Sequence, residues 1–170
     1  MVDVADVVPA AIDVKGNLVI WWVPTIADLS APTVAEIEAG KRVTNSFTPG
    51  GFPLDGDQTV DADSRLGLTV DLESLGIRTN TLGMLEYVEA SEASSAAVVL
   101  KPTAPATSKS GYFVIRRGVP WATLVAAAQK VLTVPTTLGE QIKPIQPDGK
   151  FLIKQRTSIT APIVEGVIAA

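Results

Sequence analysis

The sequence predicts a mainly β protein, an antiparallel sandwich or barrel with one short flanking α-helix and extended loops and arms. Three observations carry this. Short runs rich in β-branched and aromatic residues recur along the chain, separated by Gly/Pro turn signals. Only one segment has a complete helix signature. The regular helical crossovers that a parallel sheet demands are missing.

Taken in order, residues 1–16 read as an acidic N-terminal arm, with Pro9 interrupting and Gly16 closing it. Leu18-Val19-Ile20-Trp21-Trp22-Val23 is a buried strand ended by Pro24. Thr33 and Glu36 form a capping box, Val34 and Ile37 share one face, and Gly40 supplies a left-handed C-terminal cap, so 33–40 is a two-turn helix. Three glycines and two prolines make 48–57 an inserted loop. Strand pieces follow at 59–60, 66–71, 84–88 and 96–100. A second loop covers 102–110, and Tyr112 starts a strand that turns at Gly118. Residues 122–130 have helical propensity, but a loop into the strand 131–134 is preferred. Pro147-Asp148-Gly149 is a turn joining 141–145 to 151–160 as a hairpin. In that last segment Phe151, Ile153 and Ile159 alternate with Lys154, Arg156, Ser158 and Thr160, as a half-buried strand requires. A strand at 163–168 closes the chain, and 17–170 is read as a single domain.

Composition narrows the function. The 170 residues are 46% hydrophobic and 19% charged, and a surface so sparse in charge suits a protein whose surface is covered by neighbours. There is no cysteine and no histidine, which removes disulfides, Cys/His zinc sites and any Ser-His-Asp triad. The acidic start is unlike a signal peptide, and the longest apolar run is too short to span a bilayer. This predicts a protein made in the cytoplasm, with no membrane role. The net charge of −4 argues against nucleic-acid binding as the main task. Residues 1–92 hold fifteen acidic and five basic side chains, and 93–170 hold three and nine. Such opposite signs either neutralise each other within the fold or join copies head to tail.

The densest acidic cluster is Asp55, Asp57, Asp61 and Asp63. An EF-hand counted from Asp55 fails, with Val60 at the glycine position and Leu66 at the glutamate position. On a strand the four share a face and make an acidic ladder. Arg116 and Arg117 are adjacent and point to opposite faces. Pro49-Gly50-Gly51-Phe52 lacks the lysine and helix of a phosphate loop. Trp21 and Trp22 place one indole on each face, one in the core and one, Trp22, at a subunit contact. No catalytic residue, metal site or cofactor is predicted, and the reading is of an assembly protein.

The segment 26–44, with Ala31-Pro32-Thr33, Ala35-Glu36-Ile37, Ala39-Gly40 and Thr44, resembles the N-terminal signature of major tail proteins from actinobacterial phages. Arg116-Arg117-Gly118-Val119-Pro120-Trp121 resembles a second motif of that family, and the likeness runs from about residue 17 onward. It implies a β-sandwich subunit of a long, flexible, sheathless tail, forming hexameric rings that stack into a tube and conduct DNA. The implied partners are further copies and other tail proteins (tape measure, tail terminator, tip), and the implied location is the virion. DNA passes through without specific binding. A conduit must not hold its cargo, so Asp55, Asp57, Asp61, Asp63, Asp71 and Glu73 are expected to face the lumen. Inter-subunit contacts are expected at Pro49, Gly50, Gly51, Phe52, Trp22, Arg116 and Arg117. The alternatives are a tail terminator or connector that stops at one ring, a monomeric immunoglobulin-like binding module, and an enzyme.

Overall fold

A computed structural model describes residues 10–65, 67, 69–70, 72–104, 107–146 and 148–170. The expectations for residues 1–9, Leu66, Leu68, Asp71, 105–106 and Pro147 lie outside the described residues. The elements in chain order are β1 (Leu18–Val23), α1 (Val34–Ala39), β2 (Lys41–Arg42), a 3-10 turn (Thr44–Ser46), β3 (Leu54–Asp63), β4 (Leu72–Leu82), β5 (Leu85–Val88), α2 (Ala96–Val99), β6 (Lys109–Arg117), β7 (Lys130–Ile142), β8 (Leu152–Ile159) and β9 (Val164–Val167). The fold is mainly β and antiparallel, as expected. One curled seven-stranded sheet runs β2-β1-β6-β7-β8-β5, with β9 beside β7, and β3 and β4 form a separate two-stranded sheet.

The main sheet is packed on both faces, which is why β1 and β6 carry continuous apolar runs instead of alternation. Trp22, Ile20, Phe113 and Ile115 enter one core with Leu85, Tyr87, Leu138 and Ile153. Trp21, Val19, Val23 and Val114 enter a second core, closed by Ile37 of α1, Ile26 and Ile168. Trp22 meets Phe113 edge-on at 4.9 Å, over Gly111, where any Cβ would collide with the indole.

Several local expectations change. The capping box of α1 is present, with Glu36 N donating to Thr33 Oγ1 at 3.2 Å and Thr33 N donating to Glu36 Oε2 at 2.8 Å. Gly40, however, is not left-handed (φ −72°). Glycine is required there because a Cβ would lie 2.6 Å from Trp22 O and 2.9 Å from Val23 Cγ2, at the close crossing of α1 over β1. Residues 96–99 are the short helix α2, buried by Ala96, Ala97 and Val99, where a strand was expected. The strand pieces near 131–134 and 141–145 join into the single long β7, with an irregularity between Leu138 and Gln141. Residues 118–129 form a loop, as preferred over a helix.

Two outcomes follow. Gly111→Ala should lower stability by about 2 kcal/mol, because it overpacks the Trp22 site; denaturant unfolding measures this. Hydrogen bonds from the Thr33 and Ala27 backbone hold the Glu36 carboxyl below its ordinary pKa. A depressed folded pKa gives stability that is present above the unfolded pKa and is lost as pH falls through the folded one. Acid titration of the thermal midpoint should therefore show a component that Glu36→Gln removes.

Candidate assembly interface

The feature least explained by the subunit's own packing is the β3–β4 hairpin. It has ten and eleven residues per strand, and almost every one is half-buried or exposed. Its base is tied down. Leu82 is buried, Thr157 Oγ1 donates to Leu82 O at 2.6 Å and to Gly83 O at 3.0 Å, and Gly83 N donates to Pro53 O at 2.9 Å. Away from the base the two strands have mainly each other, an arrangement that is marginal in water.

The register assigns the faces, because directly opposed residues project to the same side. Asp55 faces Thr81, Asp57 faces Thr79, Asp61 faces Ser74 and Asp63 faces Leu72. Gln58 faces Arg78 but Val60 faces Leu75, so the extra residue of the irregularity belongs to β4. Strand β3 keeps its two-residue period, and the four aspartates stand in one row. Among the described residues no acidic group is arranged to hold a metal ion. The opposite face carries Leu54 against Leu82, Gly56 against Asn80, Gln58 against Arg78, Val60 against Leu75, and Ala62 against Glu73, so apolar pairs at both parts of the strand flank a polar middle. Glu73 thus points away from the aspartate ladder with which it was grouped, because its position has the parity of Ala62. Val60 and Leu75, opposed on this face, are 55% and 75% exposed. Exposed apolar side chains set against each other in this way suit a surface that a partner covers.

The loop expected at 48–57 gives way to β3 from Leu54 onward, and Leu72–Leu82, for which no strand was expected, is the long strand β4. The irregularity near Gly76 breaks the alternation of 72–82, so no clean period was available there.

Other expected contact residues sort by burial. Pro49, Gly50 and Arg117 are exposed. Gly51 is buried against the Glu86 backbone, where a Cβ would overlap Glu86 O, and its carbonyl accepts from Glu86 N at 2.9 Å. Phe52 is half-buried, edge-on to Phe47 at 5.2 Å and to Phe113 at 5.0 Å. These two anchor the loop to the core. Trp22, at 3% exposure, is core and offers a neighbour nothing; both indoles are core because both faces of β1 are covered.

Arg116 is also a correction, since its side chain is fully buried. Its guanidinium lies 5.3 Å from the Trp21 ring. It donates to Pro120 O (3.2 Å), Thr123 O (2.8 Å), Leu124 O (3.2 Å) and Gln129 Oε1 (2.8 Å). Burial, with the Arg42 charge adding to it, pulls its pKa down. The fork geometry of arginine suits this set of acceptors. Its role is to hold the loop 118–129.

A mainly β subunit with one long, amphipathic, uncovered hairpin is a structural assembly protein. A family model described as phage tail tube protein matches residues 6–170, and the chain belongs to that family. Comparison with curated proteins and with solved structures gives no match. The protein is a structural tail tube subunit of a bacteriophage, a component of the virion that associates with itself and with other tail proteins.

The hairpin's exposure has a measurable consequence. Leu75→Asp should leave the free subunit's stability within about 0.5 kcal/mol, as exposed substitutions do, yet suppress self-association in light scattering.

Proposed function

We propose that the subunits form hexameric rings that stack into a hollow tube, and that the aspartate face of the hairpin lines its lumen. The observation that carries this reading is the two-faced hairpin: Asp55, Asp57, Asp61 and Asp63 on one side, Val60 and Leu75 on the other. The apolar side is covered by neighbouring copies, which leaves the acidic side to the channel. Glu73, on the covered side, drops out of the lumen set. DNA then slides in water past a wall that repels its phosphates, since a cationic wall would bind them by releasing counterions. Pro49, Gly50 and Arg117, being exposed, remain the contact candidates of the original set.

The motifs at 26–44 and 116–121 support a long, flexible, sheathless tail of an actinobacterial phage, with subunits made in the host cytoplasm. The tube would meet a tape measure protein inside it, a terminator at one end and a tip at the other. The protein acts as a conduit and not as an enzyme.

Electron microscopy of the purified chain at rising concentration, with a tail-tip nucleus supplied in parallel, should show long hollow tubes of stacked rings. Single rings that never stack would assign it to a terminator role. Tails in which all four aspartates of 55–63 are replaced by lysine should assemble and eject DNA poorly, and normal ejection would remove the lumen assignment.

A further inference from the structure

The chain contains two Asp-Gly steps, Asp55-Gly56 and Asp148-Gly149. All four residues are exposed. In each step the glycine backbone N–H donates to the carboxylate of the residue before it, Gly56 N to Asp55 Oδ1 at 2.8 Å and Gly149 N to Asp148 Oδ1 at 2.7 Å. The carboxyl group and the next backbone nitrogen are therefore in contact at both. An Asp-Gly step can react through that contact, because glycine has no side chain to crowd a ring closure. Exposure and contact do not separate the two steps; the backbone around them does.

Asp55-Gly56 lies inside β3, next to the Leu54–Leu82 pair at the tied base of the hairpin. Asp55 is paired with Thr81 and Gly56 with Asn80. The ladder holds the aspartate backbone extended, and ring closure needs it to turn away from that conformation. The Asn80 side chain also stands close, with Oδ1 at 2.9 Å from where a Gly56 Cβ would lie. Asp148-Gly149 lies between β7, which ends at Ile142, and β8, which starts at Leu152. Gly149 has φ +92°, and nothing stands within 4 Å of where its Cβ would lie. Among the described residues, its N–H has no acceptor besides Asp148 Oδ1. Neither a ladder nor a neighbouring side chain holds this peptide unit in place.

We propose that Asp148 is a site of spontaneous covalent modification, at which the chain isomerises to isoaspartate while Asp55 is protected. The Gly149 nitrogen bonds to Asp148 Cγ, and the carboxyl hydroxyl leaves with the nitrogen's proton as water. The product is a five-membered succinimide. One water molecule then opens the ring. Attack at Cγ breaks the new bond and restores aspartate. Attack at the Asp148 backbone carbonyl carbon breaks the original peptide bond, so the chain now runs through the side chain and the backbone carboxylate is free. Mass and charge end as they began, and the backbone is one methylene longer. None of the described residues from Lys143 to Phe151 belongs to either core, so the connection between β7 and β8 absorbs the change. A tail subunit in a released virion is not replaced by new synthesis, and the product accumulates with the age of the particle.

The test is to incubate the purified full chain for weeks near neutral pH and then compare the peptides carrying Asp148 and Asp55 by electron-transfer fragmentation, which distinguishes isoaspartate from aspartate. Labelling of the intact chain by an isoaspartyl methyltransferase gives an independent count. Isoaspartate at Asp148 should exceed that at Asp55 by about ten-fold or more, because the ladder around Asp55 must open first. Asp148→Glu, which would have to close a six-membered ring, should remove most of the methyl label. Asp148→Asn, which releases ammonia more readily than aspartate releases water, should convert faster and raise the mass of the chain by the amide-to-acid difference. No isoaspartate at Asp148, equal amounts at Asp55 and Asp148, an undiminished label in Asp148→Glu, or no faster conversion in Asp148→Asn would each overturn the proposal.

Discussion

Strand β6 is packed on both of its faces, and the rest of the subunit is arranged to make that possible. Phe113 and Ile115 face one core, while Val114 and Arg116 face the other side. Neither core could persist alone, because each needs the sheet as its floor. Strands β1 and β7 flank β6 and share its double burial through Trp21, Trp22, Val131 and Val134. The helix α1 and the chain end around Ile168 close one side, and β5, α2 and the phenylalanine cluster close the other. Placing both indoles inside makes β1 an interior strand, which removes Trp22 from any contact with a neighbour.

The same double burial explains the arginine. Arg116 continues the inward parity of Val114, so its position on β6 commits it to the second side of the sheet. An apolar residue there would pack but could not satisfy the carbonyls of 120, 123 and 124. The four bonds from the Arg116 Nη atoms hold the loop 118–129 on its irregular path, while the buried Nε of the same guanidinium has no hydrogen-bond partner. A second polar group inside the fold works similarly: Gln155 accepts from Tyr87 Oη at 2.8 Å and donates to Leu100 O at 3.0 Å and Gly139 O at 2.7 Å. It binds α2 to the irregular stretch of β7, and the burial of Tyr87 itself raises the Tyr87 pKa above the usual phenol range.

The hairpin follows the opposite logic. The main sheet hides its apolar residues on both faces, whereas β3 and β4 leave theirs in solvent and keep a row of carboxylates on the other side. A monomeric protein has no use for that arrangement, since it risks aggregation without improving stability. In the proposed tube, neighbouring copies would cover the apolar side.

The sequence by itself determined the β class, the capping box of Thr33 and Glu36, the buried run at 18–23, the return from β7 to β8 and the acidic ladder. These rest on local periodicity and capping chemistry, which short stretches of chain carry complete. The resemblance to phage tail proteins was legible as well, and the family match over 6–170 agrees with it at that coarser level. Only the tertiary structure decided which charged residues were surface. Arg116 and Arg117 are neighbours in the chain with the same side chain, and one is buried while the other is exposed, because the fate of each depends on which face of β6 is covered. It also decided that Glu73 parts from the aspartates, through one extra residue in β4, and that Gly40 serves a close crossing and not a left-handed cap. Such outcomes are set by what lies across the sheet, and distance across a sheet is not written in the order of the residues.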